Sequence, residues 1–338
     1  MPPVGFFVRR LLSSVGVVIG VTLITFTLSH LINIDPVVSW FGKFPPSQEL
    51  VNLYVAQYHL HDPLYIQYFY YLIGLVHLQL GYSPTAGELV SQVIARTLPY
   101  TLQLLLLAMF FNVILSISTG FLSVKYVGGA VDKVLNAFYL VTWASPSYFL
   151  ALVLIVLFSY AVPIFPTGGG IDILIQPPHP LTGLPMLDAL LEGNWAALQS
   201  LMVHGILPSL ALAIGFFGPV SRVLRSSMLE VMNSNFIRAA RARGLPQNVV
   251  LFGYAFKIAL VEVITLLASQ VAYFLGSAIF VEGIFSYPGI GLFSEQAVLA
   301  LDYPGILGVT LAFAVIILVG NLVADLLIAV IDPRIRLR

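Results

Sequence analysis

The sequence predicts an all-α integral membrane protein with six transmembrane helices. Of its 338 residues, 59% are hydrophobic and only 9% are charged, whereas about 25% of residues are charged in an average soluble protein. The mean hydropathy is +0.97. So few charges would leave a soluble chain of this size without enough polar surface, so we expect it to lie in a membrane. It contains no cysteine, which excludes disulfides and metal–thiolate sites.

Six stretches are long and apolar enough for a spanning helix, which needs about 20 such residues. The first follows Arg9-Arg10 and is too long for a signal peptide, so we expect a retained helix. The fourth contains Gly215, Gly218 and Pro219, which a helix bundle tolerates because its neighbours satisfy freed backbone groups. The predicted spans are residues 11–32, 98–124, 134–162, 206–224, 258–281 and 304–331.

The distribution of lysine and arginine predicts the orientation of the chain. If the N-terminus is cytoplasmic, 13 of the 15 basic residues fall in cytoplasmic segments, and only Lys43 and Arg96 fall outside. Because the excess of basic residues in short loops sets membrane topology, we expect both termini in the cytoplasm.

The segment that follows the first span is large. We expect residues 1–95 to form the first helix with a sizeable extracytoplasmic segment, and residues 96–338 to form a core of five helices. Residues 64–80 are aromatic and apolar but contain Gln67 and His77. We interpret them as a helix on the outer face or in the membrane interface, and not as a seventh span.

The longest cytoplasmic loop, residues 225–257, is predicted to hold two short helices. The first covers residues 228–243, with Gly244 just past its end and Pro246 as a stop. The second covers residues 247–256.

Within that loop, residues 238–244 read Arg-Ala-Ala-Arg-Ala-Arg-Gly. The positive-inside rule explains their charge but not their alanines. On a helix, Phe236, Ala239, Ala240 and Arg243 share one face, and small residues allow close approach to a groove. We therefore predict a helix that docks on a partner protein.

No catalytic constellation is found, and there is no phosphate-binding G-x-x-x-x-G-K-[ST] loop. Six scattered histidines could converge on a metal, but we interpret them as loop histidines and expect neither a metal nor a cofactor in this chain. They are His30, His59, His61, His77, His179 and His204.

Ionisable residues inside a membrane suggest function by default, and Glu262 and Asp325 are the two candidates. Both lie near predicted helix ends, so we interpret them as interfacial ion pairs, Glu262 with Lys257 or the basic loop, and not as a proton relay. Polar helix residues could line a translocation pathway or only hydrogen-bond between helices. The pathway candidates are Gln103, Asn112, Asn136, Ser145 and Gln270.

Residues 238–244 resemble the E-A-A-x-x-x-G loop of the permease subunits of binding-protein-dependent ABC importers. Arg238 replaces the glutamate, as in the dipeptide/oligopeptide branch. Similar matches cover nearly the whole chain: Ile34-Asp35-Pro36, Leu181-Thr182-Gly183, Ile284 to Gly291, and Asp332-Pro333-Arg334. One departure is Val261-Glu262, which stands where the broader family often has leucine-proline.

The resemblance implies a non-enzymatic subunit of the cell membrane. It would work with a second homologous permease, an extracytoplasmic solute-binding protein and two ATPase subunits that bind ATP and magnesium; no nucleic acid is implied. The loop helix would enter a cleft of an ATPase subunit through Phe236, Arg238, Ala239, Ala240, Arg241, Arg243 and Gly244.

The cargo is less defined than the architecture. The branch includes permeases for dipeptides, oligopeptides, glutathione, nickel and oligosaccharides, and we expect peptides. A stand-alone secondary transporter or channel and a membrane scaffold are the competing classes. The lack of carboxylates near the middle of the predicted spans argues against secondary transport.

Overall fold

The computed structural model describes residues 16–27, 47–57, 59 and 61–331. Its helices, numbered here in chain order, include two that are joined to π-helical segments. They are α1 (Gly16–Thr27), α2 (Gln48–Gln57), α3 (Leu64–Val76), α4 (Val90–Lys125), α5 (Ala130–Ala144), α6 (Ser147–Ile155, extended by the π-helix Val156–Ala161), α7 (Pro185–Leu191), α8 (Trp195–Met232), α9 (Asn235–Ala242), α10 (Phe256–Ile284, preceded by the π-helix Val249–Ala255), α11 (Ile290–Leu299) and α12 (Tyr303–Ile331).

Four of the described helices are long and apolar enough to cross a membrane: α4, α8, α10 with its π-helix, and α12. They cover the predicted second, fourth, fifth and sixth spans. Of the predicted first span, α1 is helical and the remaining positions lie outside the described residues. With α5 and α6 taken as one span, the described part contains up to five segments that are long and apolar enough to cross a membrane.

The prediction of one continuous helix over residues 134–162 is wrong. Helices α5 and α6 meet at an angle of 107°. The break lies at Ser145, which is extended with φ −86° and ψ 127°. The cause is Pro146, because the ring of a proline disfavours helical backbone at the preceding residue.

Helix α3 is short, as expected for a helix that does not span the membrane. Its 13 residues extend about 20 Å, less than the roughly 30 Å of a hydrocarbon core. It packs against α1. The hydroxyls of Tyr68 and Thr22 lie 3.1 Å apart, and the rings of Phe26 and Tyr71 stack at 5.8 Å.

The chain forms two compact units. One comprises Leu102–Tyr287 and the part of α12 from Val319 onward. Its core contains a cluster on α8, α10, the π-helix before α10 and the end of α4: Val124, Val220, Leu224, Met228, Leu251, Ala255, Ala259 and Val263.

The second unit comprises the described residues up to Thr101 together with Pro288–Leu318. A short antiparallel hairpin pairs β1 (Tyr82–Ser83) with β2 (Glu88–Leu89). The buried carboxylate of Asp302 accepts hydrogen bonds from the Ser83 hydroxyl and from the Gly305 backbone N–H, the latter at 2.8 Å. Asp302 therefore joins the hairpin to the first turn of α12.

Candidate docking site and pathway residues

The predicted helix over residues 228–243 is two helices in the structure. Helix α8 continues to Met232, and α9 begins at Asn235. Ser234 between them is extended, with φ −71° and ψ 155°. Its hydroxyl donates to the carbonyl of Val231 at 2.6 Å, so it bonds the end of α8 instead of capping α9.

The end of α9 is the one that the sequence predicts. Gly244 follows the helix with a left-handed φ of +78°, a conformation that glycine adopts without steric cost. The N–H of Gly244 bonds the carbonyl of Arg241 at 2.9 Å, and the N–H of Leu245 bonds that of Ala240 at 3.4 Å. These two bonds form a Schellman motif, which satisfies the last carbonyls of the helix.

One face of α9 is buried, and it includes a residue that we expected to dock. Ile237 is 0% and Ala240 is 8% exposed, so Ala240 faces the protein together with Ile237. At 3.6 residues per turn, the positions farthest from this pair are Asn235 and Ala242, followed by Arg238 and Ala239, all exposed. The outward face is therefore basic with two small residues.

The rest of the outward surface of α9 is also basic. Phe236 is 46% exposed, and Arg241 and Arg243 are exposed. Among the described residues, no guanidinium group of α9 or of its C-cap forms an ion pair. These groups can therefore donate to acidic or backbone acceptors of a partner.

The inward face of α9 contacts the π-helix that precedes α10. The predicted separate helix over residues 247–256 is wrong, because Val249–Ala255 runs directly into α10. Phe252 of this π-helix stacks on Phe121 of α4 with ring centroids 4.3 Å apart. Helix α9 is thus seated on the segment that precedes α10, and that segment in turn packs against α4.

Glu262 has a different partner from the ones that we expected. Its carboxylate accepts a hydrogen bond from the hydroxyl of Ser227, and in the described part of the chain it pairs with no lysine or arginine. The bond joins α10 to α8. Asp325 lies in α12, outside the residues whose side chains are described.

Gln103, a pathway candidate on α4, is buried between the start of α7 and the segment after α10. Its amide nitrogen donates to the hydroxyl of Tyr287 at 3.1 Å. Its amide oxygen accepts from the backbone N–H of Met186 at 2.7 Å. Both groups of the amide are used for these contacts, so the geometry indicates that Gln103 holds the start of α7 beside the end of α10.

Gln270 on α10 and Asn112 on α4 lie near the part of α8 that contains Pro219, where the helix continues without a break. Pro219 has no N–H to bond the carbonyl one turn earlier. Gln270 donates to the carbonyl of Phe216 at 2.7 Å. Asn112 accepts from Ser116, whose hydroxyl donates to the next carbonyl, that of Phe217, at 3.2 Å. Neighbouring helices thus satisfy backbone groups beside the proline, as expected in a bundle.

The other two pathway candidates are hydrogen-bonded locally. Asn136 donates to the carboxylate of Asp132 at 2.9 Å, and Ser145 donates to the carbonyl of Val141 at 2.7 Å. Within the described part of the chain, no hydrogen bond joins any two of the five candidates.

Two family models together match most of the chain. Residues 112–337 match the binding-protein-dependent transport system inner membrane component. Residues 4–105 match the N-terminal part of membrane components of the same transport systems. The chain belongs to this family. It is a multi-pass membrane protein and one component of a larger transport system.

Relatives align with this permease along almost its whole length. The probable D,D-dipeptide transport system permease protein DdpB of Escherichia coli K12 is 36% identical over 97% of this chain and 96% of its own. The oligopeptide permease protein AppB of Bacillus subtilis and the dipeptide permease protein DppB of Escherichia coli K12 are each 33% identical, over 98% of both chains.

The structure shows buried carboxylates in this permease that the sequence reasoning missed. They are Asp132, Asp188, Glu282 and Asp302, each at most 4% exposed. Turn residues near three of them were a usable signal: Gly128 before Asp132, Thr182-Gly183 before Asp188, and Gly305 after Asp302. Buried carboxylates persist where hydrogen bonds or opposite charges compensate for lost water.

Asp188 binds the Leu181-Thr182-Gly183 segment, one of the segments in which the sequence resembles the importer permeases. Its carboxylate accepts from both the N–H and the hydroxyl of Thr182, each at 2.6 Å. Burial favours the neutral acid, but the hydrogen bonds from Thr182 and neighbouring backbone groups outweigh it and hold the pKa of Asp188 below its ordinary value. The ionised carboxylate therefore fixes the turn before α7.

Proposed function

We propose that this chain forms half of a peptide-conducting pathway in an ABC importer. A second homologous permease would supply the other half. An extracytoplasmic binding protein would deliver the peptide, and two ATPase subunits would bind ATP and magnesium. The printed names of the relatives, which are dipeptide and oligopeptide permeases, support peptides as cargo.

We further propose six spans with both termini in the cytoplasm. Helix α1 would lie in the first span, and the bent pair α5–α6 would form the third. The excess of basic residues in the proposed inner segments supports this orientation. We keep the proposed division into residues 1–95 and 96–338; the two family models also divide the chain in two, between residues 105 and 112.

The outward face of α9 is the observation that carries the proposal. Arg238, Ala239 and Ala242 are exposed on a helix whose other side is packed into the protein. Small residues allow the backbone of α9 to approach a groove closely, and the surrounding guanidinium groups can bind acidic groups at its rim. In the proposed complex α9 docks in a cleft of an ATPase subunit and passes its movement to α8.

The function is tested with the complete complex reconstituted in liposomes. It contains this chain, the second permease and the two ATPase subunits, and the binding protein is added separately. A labelled dipeptide should accumulate only when ATP and the binding protein are both present. Accumulation driven by an ion gradient in vesicles that contain this chain alone would instead show a secondary transporter.

The docking face is tested with Ala239→Glu, which places a long acidic side chain on it. We expect the ATPase subunits to be lost on purification and peptide-stimulated ATP hydrolysis to fall about tenfold or more. The matched control is Ala196→Glu, the same change at an exposed position in the first turn of α8. Wild-type hydrolysis and assembly in Ala239→Glu would contradict the proposed docking face.

A further inference from the structure

Asp132 is the meeting point of three helices in the first compact unit. It lies in the first turn of α5 and is 4% exposed. The guanidinium group of Arg225 on α8 binds it through two bonds, from Nε to Oδ1 at 2.9 Å and from Nη2 to Oδ2 at 2.8 Å. This two-point geometry fixes the orientation of both side chains.

The same carboxylate gathers further donors. The hydroxyl of Ser123 on α4 donates to Oδ1, the backbone N–H of Gly128 donates to Oδ2 at 2.9 Å, and Asn136 donates to Oδ1. Asp132 therefore binds the end of α4, the turn after it, its own helix and α8. A surface ion pair does not need so many donors, whereas a buried carboxylate needs them to compensate for lost water.

Two other contacts join α5 to α8 along the same face. The hydroxyl of Ser221 donates to that of Tyr139 at 2.7 Å. A Cβ atom placed on Gly218 would lie 3.3 Å from the Cβ atom of Tyr139, so a side chain there would push the two backbones apart by only a few tenths of an ångström. Together with the ion pair Arg225–Asp132, these contacts join α5 and α8 at three successive positions of α8: residues 218, 221 and 225.

Helix α4 is joined to the same part of α8, at Ser221. The hydroxyls of Thr119 and Ser221 lie 2.9 Å apart. A Cβ atom on Gly120 would lie 2.9 Å from the carbonyl oxygen of Ser221. Close contacts of this kind resist sliding, because packed helices have few alternative arrangements. The three helices therefore form one rigid group around residues 217–225.

Arg225 is placed between this group and the proposed docking helix. It lies seven positions before Met232, the last residue of α8, which is about 10 Å along a helix axis. Helix α9 begins just beyond. In the other direction, Asp132 starts the bent pair α5–α6. Of the contacts described above between α8 and α5, the pair Arg225–Asp132 lies nearest to α9 along the chain.

We infer that Asp132 is a positioning residue for energy coupling, which ties α4 and α5 to α8 so that movement of α9 displaces the bent pair α5–α6 as one body. This inference rests on the proposed function. It assigns Asp132 no contact with peptide, ATP or the ATPase subunits.

The first test measures peptide transported per ATP hydrolysed by the reconstituted complex carrying Asp132→Asn. This change keeps the shape of the side chain and removes its charge. We expect the ratio to fall about fivefold or more, the lower end of typical coupling between sites, while ATP hydrolysis continues. A merely structural role would lower the amount of complex and leave the ratio of the surviving complex unchanged, which would overturn the inference.

Two further variants complete this test. In the double variant Asp132→Asn with Arg225→Gln, the ratio of peptide transported to ATP hydrolysed should fall by less than the two single variants predict together. The reason is that the effects of interacting residues are not additive. The control is Glu88→Gln, which breaks the exposed ion pair of Glu88 with Arg96, 2.8 Å long. Its ratio should equal that of the wild type.

A second test does not require Asp132 variants to fold. Because the chain has no cysteine, the double variant Tyr139→Cys with Gly218→Cys provides a single pair whose Cβ separation is close to the roughly 3.5–4.5 Å of disulfides. If α5 and α8 move as one body, the oxidised complex transports peptide as fast as the reduced complex. Loss of transport on oxidation, restored by reduction, would overturn the inference.

These results separate the inference from the proposed function. If the wild-type complex shows no ATP-driven uptake, the proposed function fails. If it transports peptide but Asp132→Asn keeps the wild-type ratio, the function stands and the inference fails.

Discussion

The side-chain amide of Gln103 donates a hydrogen bond to the hydroxyl of Tyr287, 184 positions further along the chain. The same amide accepts from the N–H of Met186, which lies in the first turn of α7, where backbone donors have no partner within the helix. One side chain thus connects α4, the start of α7 and the segment after α10.

Replacing this amide should destabilise the protein. In Gln103→Leu the N–H of Met186 loses its acceptor, and a buried donor without a partner costs about 1–3 kcal/mol. We expect a lower midpoint of thermal unfolding in detergent. Gln296→Leu, the same change at an exposed position of α11, should leave the midpoint unchanged. If Tyr287→Phe and Gln103→Leu were strictly additive, the hydrogen bond between them would contribute nothing.

Gly168 should not tolerate a side chain. A Cβ atom at this position would lie 2.2 Å from the carbonyl oxygen of Phe285, and the adjacent Gly169 N–H bonds that oxygen at 2.8 Å. Gly168→Ala must separate the two backbones, which we expect to cost about 1–3 kcal/mol. The control is Gly276→Ala in α10, where no atom lies within 4 Å. Equal unfolding midpoints for the two variants would contradict this prediction.

Asp188 should make the stability depend on pH in the acid range. Because its pKa is lowered in the folded protein from an ordinary value of 3.8, its contribution is present above that value and is lost as the pH falls below it. Unfolding midpoints should therefore decline more steeply below about pH 4 in the wild type than in Asp188→Asn. The exposed Asp172 lies in the same loop. Asp172→Asn should retain the wild-type slope, and a slope altered by both changes would argue against Asp188 as the cause.

The proposed orientation can be measured with single cysteines, since the natural chain has none. Leu174 is 90% exposed in the loop that we place outside, and Val127 is 52% exposed in the turn after α4, which we place inside. A membrane-impermeant maleimide should label Leu174→Cys in intact cells and Val127→Cys only after lysis. The reverse pattern would invert the topology.

Hydropathy predicted the long helices because a helix that crosses the membrane satisfies its backbone groups internally and therefore consists of one continuous stretch of apolar residues. It could not reveal the bend at Ser145, since the stretches on both sides of the bend are apolar. The local signal was Pro146, which restricts the residue before it. The same restriction makes the bend a property of the sequence and not of distant packing.

The docking helix was predicted in position but not in orientation. Gly244 ends it through local backbone geometry, which a sequence motif can report. Which side of the helix is buried depends on the π-helix that contacts it, and the sequence did not indicate that Ala240 lies on the buried side. The partnership of Asp132 and Arg225 was missed for a related reason, because it joins residues 93 positions apart.

The seating of α9 on its own protein has an energetic consequence for assembly. Ile237 and Ala240 are buried and the Schellman motif closes the helix, so α9 is folded and oriented before any partner arrives. Ordering the backbone of one residue costs about 1–2 kcal/mol of conformational entropy, and for a preorganised helix this cost is met during folding. More of the interaction free energy of the exposed arginines and alanines then remains as affinity.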